Sequence, residues 1–118
     1  MASAVLRQRV AEDLGLVAIG QDPEAQDTTR IDSTFDEVYA AAKEKGLATW
    51  ASTAEVPTKL VPAFALIMCH ALLGSYSVPE SRYNRIVTAA GLDGKLAWEK
   101  LGELSVPEYE DNAYEGDF

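Results

Sequence analysis

The chain has 118 residues and a formal net charge of −9, with 47% apolar and 25% charged residues. This composition predicts one globular domain with one core. The excess of carboxylates argues against direct binding to nucleic acid or anionic lipid, which requires clustered Lys and Arg. A single cysteine excludes an internal disulfide and a cysteine zinc cluster, and no stretch reaches the roughly 18 continuous apolar residues of a membrane span, so we expect a soluble protein with no membrane partner.

The first predicted helix starts after Ser3, a residue type that caps helix N-termini, and ends at Gly15. Its apolar stripe consists of residues at helical spacing: Val5, Leu6, Val10 and Leu14.

The second predicted helix begins at Asp22 and Pro23, because Asp accepts the unpaired amides of a first turn and Pro is preset for it. It ends at Gly46, and a turn containing Leu47 and Trp50 follows, which we expect to be pinned to the core by these two side chains. The stripe of this helix carries Ile31, Phe35, Val38 and Ala42, with Tyr39 at its border.

The run LVPAFALIMCHALLGSY, residues 60–76, is apolar nearly all round. This pattern is typical of a helix in the middle of a fold or in a subunit interface. Pro62 means that the helix either begins near Val61 or is kinked in its first turn. A domain of this size hides such a helix poorly, so the pattern favours a subunit that packs against copies of itself.

Two further helices are predicted after Val78 and Pro79. Ser81 caps the first and Asp93 caps the second, after a break at residues 91–94. Their stripes carry Tyr83, Ile86, Val87 and Ala90 in the first, and Leu96, Trp98, Leu101 and Leu104 in the second. No strand-like alternation occurs in the sequence, so the predicted fold class is all-α, a small bundle of four to five helices over residues 1–104.

Residues 105–118, SVPEYEDNAYEGDF, have no apolar repeat and no lysine or arginine. A segment this acidic cannot fold alone, and its spaced aromatic rings favour docking on a partner over mere solvation. We therefore expect an extended acidic C-terminal tail that binds a partner. The predicted partner-binding residues are Tyr109, Glu110, Asp111, Tyr114, Asp117 and Phe118.

Reactive groups are few. Cys69 and His70 are neighbours on a helix and point about 100° apart, so they do not form a thiol–imidazole pair. Asp32 and Asp36 lie one turn apart, but in so acidic a chain such a pair is better interpreted as part of a solvated face. The segment GLDGK lacks the length of a phosphate-binding loop. We expect no catalytic site, no metal site and no cofactor.

The order of these elements resembles that of the small head-to-tail connector, or adaptor, proteins of tailed bacteriophages, the group that includes head-completion and packaged-DNA-stabilisation proteins. The matching pieces are DPEAQD with IDSTFDEVYAAAKEKG, the turn GLATWAS, the step EVPTKLVPAFALIMCHALL and the segment RYNRIVTAA. The resemblance spans roughly residues 3 to 104, and the glycine break at 91–94 departs from it.

The resemblance implies a structural virion protein, made in the host cytoplasm and located at the head–tail junction. It implies a homo-oligomeric ring, commonly of twelve copies, beneath the portal protein and above the tail proteins (nozzle or tail-completion proteins). DNA would pass through its channel without specific binding, since carboxylates repel a polyanion. The acidic tail would reach the portal.

Two other functions remain open on the sequence. One is an acidic helical binding or regulatory module that sequesters a basic protein partner, which predicts a monomer or dimer with no ring. The other is a small hydrolase that works through a carboxylate pair, which predicts loss of activity on a single Asp or Glu change.

Overall fold

A computed structural model describes residues 3–51 and 55–105 of the chain. This part is all-helical and contains no strand, as predicted. It holds five α-helices: α1 (Ala4–Leu14), α2 (Ala25–Glu44), α3 (Val61–Leu72), α4 (Glu80–Ala90) and α5 (Lys95–Leu104). Single 3-10 turns precede α3, follow α3 and precede α5, at Thr58–Leu60, Leu73–Ser75 and Leu92–Gly94. The predicted acidic tail lies outside the described residues from position 106 onward.

Helix α1 has the ends that its sequence predicts. The Ser3 hydroxyl accepts a hydrogen bond from the Leu6 amide at 3.3 Å, and Gly15 ends the helix in the left-handed conformation at φ 78°. Val10 and Leu14 are buried with Leu6. Val5 is 62% exposed, so its assignment to the buried stripe was wrong.

Helix α2 begins at Ala25, two residues after Pro23, the predicted first helical residue. Glu24 precedes the first helical residue and makes no side-chain capping hydrogen bond, so the Asp22 cap was wrong. The predicted stripe is confirmed, because its members are all buried: Ile31, Phe35, Val38, Tyr39 and Ala42.

An aromatic cluster fastens the turn after α2 to the core. Phe35 packs beside Phe64 with ring centroids 5.5 Å apart, and Trp50 lies edge-on to both Tyr39 and Phe64 at 6.1 Å. The Tyr39 hydroxyl also donates a hydrogen bond to the Trp50 carbonyl oxygen. Together with half-buried Leu47, these contacts confirm that Leu47 and Trp50 pin the turn.

Helix α3 is the central element of the bundle. It begins at Val61, with Pro62 in its first turn, so the first of the two alternatives for this proline is correct. The other four α-helices all pack against it. Its buried residues face all of these neighbours: Ala63, Phe64, Ala65, Ile67, Met68, Cys69 and Leu72.

The apolar character of α3 is therefore used inside one subunit. Of the two locations expected for such a helix, the structure shows the middle of the fold, because the four surrounding helices bury most of the α3 residues. Residues Thr58–Ser75 are long and apolar enough, by length and composition, to cross a membrane, and half of them are buried inside the domain. A core helix has this same composition.

Helices α4 and α5 differ from their predictions at both N-termini. Pro79 precedes α4, so Ser81 lies inside the helix and is not its cap. Gly94 precedes α5, and Asp93, at φ 54°, makes no capping hydrogen bond. Ile86 and Ala90 are buried as predicted, as is Leu101.

Candidate partner-binding surfaces

The predicted partner-binding residues all fall in the tail and lie outside the described residues: Tyr109, Glu110, Asp111, Tyr114, Asp117 and Phe118. Within the described part of the chain, three clefts and one exposed apolar strip have the size or the character of a contact surface. One of these clefts, of about 320 Å³, lies between the start of α1 and the start of α3, and the other two are described below.

The two reactive side chains of α3, Cys69 and His70, line different clefts. Cys69 is 1% exposed, and burial, followed by the nearby Asp13 carboxylate, raises the pKa of its thiol to about 12. His70 lines a different cleft, next to Gly94. A Cβ added at Gly94 would lie 3.3 Å from the His70 Nδ1. Within residues 3–51 and 55–105, no three His, Cys, Asp or Glu side chains converge as a metal site would require.

The carboxylates of α2 do not form a simple solvated face. Arg7 of α1 donates to both oxygens of Asp32, at 3.1 Å and 3.3 Å, and the two side chains are only 16% and 21% exposed. This bidentate pair joins α1 to α2. Interpreting Asp32 as solvated was therefore wrong.

A groove of about 370 Å³ opens between α1, α3 and α4, and we call it the arginine groove. It is lined by three arginines, one carboxylate and an apolar floor: Arg9, Arg82, Arg85, Asp13, Pro62, Leu66, Cys69, Ile86 and Ala89. The chain has only ten lysines and arginines in total, so the groove collects three of them on a protein of net charge −9.

Two of the groove arginines are tied to α1. Arg9 Nε lies 3.0 Å from Asp13 Oδ2. Arg82 Nη1 donates to the carbonyl oxygens of Glu12 and Asp13 at 3.2 Å and 3.3 Å, where the C-terminal end of α1 favours a cation. Arg85 is exposed, and its side chain makes no hydrogen bond or ion pair with any other described residue. The groove therefore presents a positive charge that nothing else described in the domain neutralises.

A second, smaller cleft lies between α2, α3 and α5, on the other side of the central helix. Trp98 forms part of its wall, and the Lys45 ammonium lies 5.3 Å from the centre of the Trp98 ring. Glu37 and Asp93 line this cleft together with His70, so its charged groups are mainly acidic.

The exposed apolar strip runs along α4, through the following turn and into the first turn of α5. Six large apolar side chains are exposed in the described part of the chain, and four of them lie in this short stretch: Tyr83, Val87, Leu92 and Leu96. Leu92 is 84% exposed and Leu96 is 52% exposed. Single exposed apolar residues are ordinary, but these four lie within fourteen residues of the sequence, and Tyr83 and Val87, four residues apart, share one face of α4.

Sequence reasoning assigned Tyr83 and Val87 to the buried stripe of α4, and it missed the arginine groove. Arg82, Arg85 and Ala89 are spaced three and four residues apart, which places them on one face of a helix. That spacing is visible in the sequence. The presence of Arg9 on the opposite wall is not, because it depends on where α1 lies.

No protein-family model, no curated protein and no solved structure matches this chain. What can be inferred about its function therefore rests on its surfaces and on the order of its helices.

Proposed function

We propose that this chain is a structural virion subunit that assembles into a ring-shaped head-to-tail adaptor beneath the portal of a tailed bacteriophage. The ring extends the DNA channel and joins the portal protein to the tail proteins, in a dodecamer of identical subunits. The resemblance in element order supports this proposal, and the exposed apolar strip is the structural observation that carries it.

A ring requires each subunit to present two different surfaces that fit each other, because the contact is repeated head to tail around an axis. The apolar strip of α4 and α5 supplies one such surface. Ile19, 91% exposed in the loop between α1 and α2, lies in a different part of the chain and belongs to a candidate second surface. Helix α3, which is buried within the subunit, is not part of this contact.

The net negative charge of the protein is compatible with a channel for DNA. DNA that slides through a channel must not be held by it, and carboxylates near a polyanion repel it. In the proposed assembly the tail residues 109–118 reach the portal, with aromatic rings as anchors and carboxylates that pair with basic portal residues.

The experiment that tests the proposal is electron microscopy of the purified chain, alone and mixed with a portal ring. We expect annular particles, and we expect Leu92→Glu to abolish them, since a carboxylate in the middle of an apolar contact is desolvated without a partner. Ala40→Glu is the matched control, because Ala40 is exposed on α2 and gains the same charge. Both variants should keep the helical circular dichroism of the parent.

Deletion of residues 106–118 separately tests the tail, and we expect it to weaken portal binding. Undiminished binding would remove the tail from that contact. A chain that stays monomeric with the portal present, and binds a basic protein instead, would replace the adaptor proposal with the sequestering module.

A further inference from the structure

The arginine groove has the charge and shape of a receptor for an acidic, aromatic peptide. Three arginines face one carboxylate, and Leu66 and Ile86 provide an apolar floor between them. A phosphate backbone would use the arginines but not this floor. A peptide that carries both carboxylates and aromatic rings would use both.

The chain itself contains such a peptide. Residues 106–118 have five carboxylates, three aromatic side chains and no lysine or arginine. Arg85 offers this segment a guanidinium that has no partner among the described residues, and the Tyr and Phe rings match the apolar floor.

The tail also starts close enough to reach the groove. Helix α5 begins beside His70, near the end of α3, and it contacts the Thr58–Leu60 turn just before α3. Helix α5 therefore runs antiparallel to α3 and ends near the N-terminal end of α3. Pro62, which lines the arginine groove, lies at that same N-terminal end.

The distances are compatible with this path. An extended segment of thirteen residues spans up to about 43 Å, and passing around one helix requires roughly 20 Å.

We infer that the C-terminal segment, residues 106–118, docks in the arginine groove of its own chain. A short tether gives the tail an effective concentration in the millimolar range at its own groove, so the intramolecular contact outcompetes a second copy in dilute solution. This inference rests on the groove and the tail sequence and does not depend on the adaptor proposal. If the adaptor proposal also holds, the portal must displace the tail from the groove before the portal can bind the tail.

Paramagnetic relaxation in the full chain tests the inference directly. A nitroxide label is attached at Gly116→Cys, and native Cys69 stays unlabelled because it is buried with its pKa raised to about 12. We expect the label to broaden the amide signals of Leu66 and Arg85 in the groove much more strongly than that of Ala41 in the second cleft. Salt at about 1 M, where the Debye length is about 3 Å, should weaken the broadening.

Two variants link the effect to the proposed contacts. Arg85→Glu should abolish the broadening, while Lys95→Glu, the same charge change at an exposed site at the start of α5, should preserve it. The double change Tyr114→Ser with Phe118→Ser alters no residue of the bundle, and it should also abolish the broadening. It keeps the test decisive if Arg85→Glu disturbs the fold.

Three results would overturn the inference. They are absence of broadening in the parent chain, equal broadening at both clefts, and broadening that persists in Arg85→Glu. The control is a mixture of two chains, one isotope-labelled without nitroxide and the other nitroxide-labelled without isotope. We expect no broadening of the amide signals in this mixture. Broadening there would overturn the intramolecular contact, because the groove would then bind the tail of a second copy. All of these measurements use the isolated protein, so their outcome is independent of whether a portal is bound.

Discussion

Replacing Gly91 with alanine tests how the turn between α4 and α5 is held. Gly91 has φ 79° and ψ −179°, a backbone region that is essentially restricted to glycine and costs another residue about 1–3 kcal/mol. An added Cβ would also lie 2.5 Å from Cγ of Leu96 and 2.9 Å from its Cβ. Because the position of the Leu96 Cβ is fixed by the backbone, no rotamer of Leu96 relieves this contact, and the backbone of the turn would have to shift, at a further cost on the order of 1 kcal/mol. We expect Gly91→Ala to lower the free energy of unfolding by about 2–4 kcal/mol.

The chain offers two matched controls for this change. Gly46 also has a positive φ, 77°, but no atom lies within 4 Å of its added Cβ, so Gly46→Ala isolates the backbone cost of about 1–2 kcal/mol. Gly74 has neither a positive φ nor a neighbour within that distance. Gly74→Ala should leave stability unchanged or raise it by up to about 1 kcal/mol.

Urea unfolding followed by far-UV circular dichroism measures all three variants on one scale, provided that their slopes agree. The expected order of stability is Gly74→Ala, then Gly46→Ala, then Gly91→Ala. Combining Gly91→Ala with Leu96→Ala should recover the part of the steric loss that is due to Cγ and Cδ1 of Leu96, and a double-mutant cycle isolates that part. Equal stability of Gly91→Ala and Gly74→Ala would refute both costs, and equal losses in Gly91→Ala and Gly46→Ala would refute the steric one.

Three further predictions concern the core, the ion pair and the thiol. Phe35→Ala should cost about 3–5 kcal/mol in urea unfolding because the ring is fully buried, while Leu66→Ala should cost clearly less because Leu66 is only half-buried at the groove; equal losses would contradict this difference. Asp32→Asn should cost about 1 kcal/mol by weakening the bidentate pair with α1, whereas exposed Glu99→Gln should be neutral in the same assay. The Cys69 thiol should resist alkylation at pH 8 until the protein is unfolded. Because burial raises its folded pKa from 9.0 to about 12, the unfolded state loses this proton first. Stability should therefore fall by up to about 1.4 kcal/mol per pH unit above pH 9, less steeply in Cys69→Ala. Rapid native labelling, or identical slopes, would contradict it.

Local signals predicted most of the helices and much of the core. The Ser3 cap and the Gly15 stop define α1 in both sequence and structure, since each acts through hydrogen bonds within one or two turns. The stripe of α2 is equally local, because a period of 3.6 residues places Ile31, Phe35 and Val38 on one face whatever lies against it.

Three predicted helix caps were wrong because several neighbouring residues could cap the same helix end. Asp22, Ser81 and Asp93 are all good capping residue types, yet none caps a helix in the structure. Backbone geometry decided these ends: Pro79 precedes α4, and Gly94, with its left-handed φ of 78°, precedes α5. Competing signals a few residues apart differ too little in free energy for sequence to rank them.

The sequence by itself determined the all-helical class, the order of the helices and the charge contrast between the body and its acidic, aromatic end. Only the tertiary structure decided which apolar faces are satisfied within the subunit. It buried α3 among four helices and left Tyr83 and Val87 of α4 exposed. It also brought Arg9 of α1 to the same groove as Arg85 of α4. The physical reason is that a helical stripe fixes which residues share a face, whereas the crossing angles and neighbours of whole helices fix what each face meets.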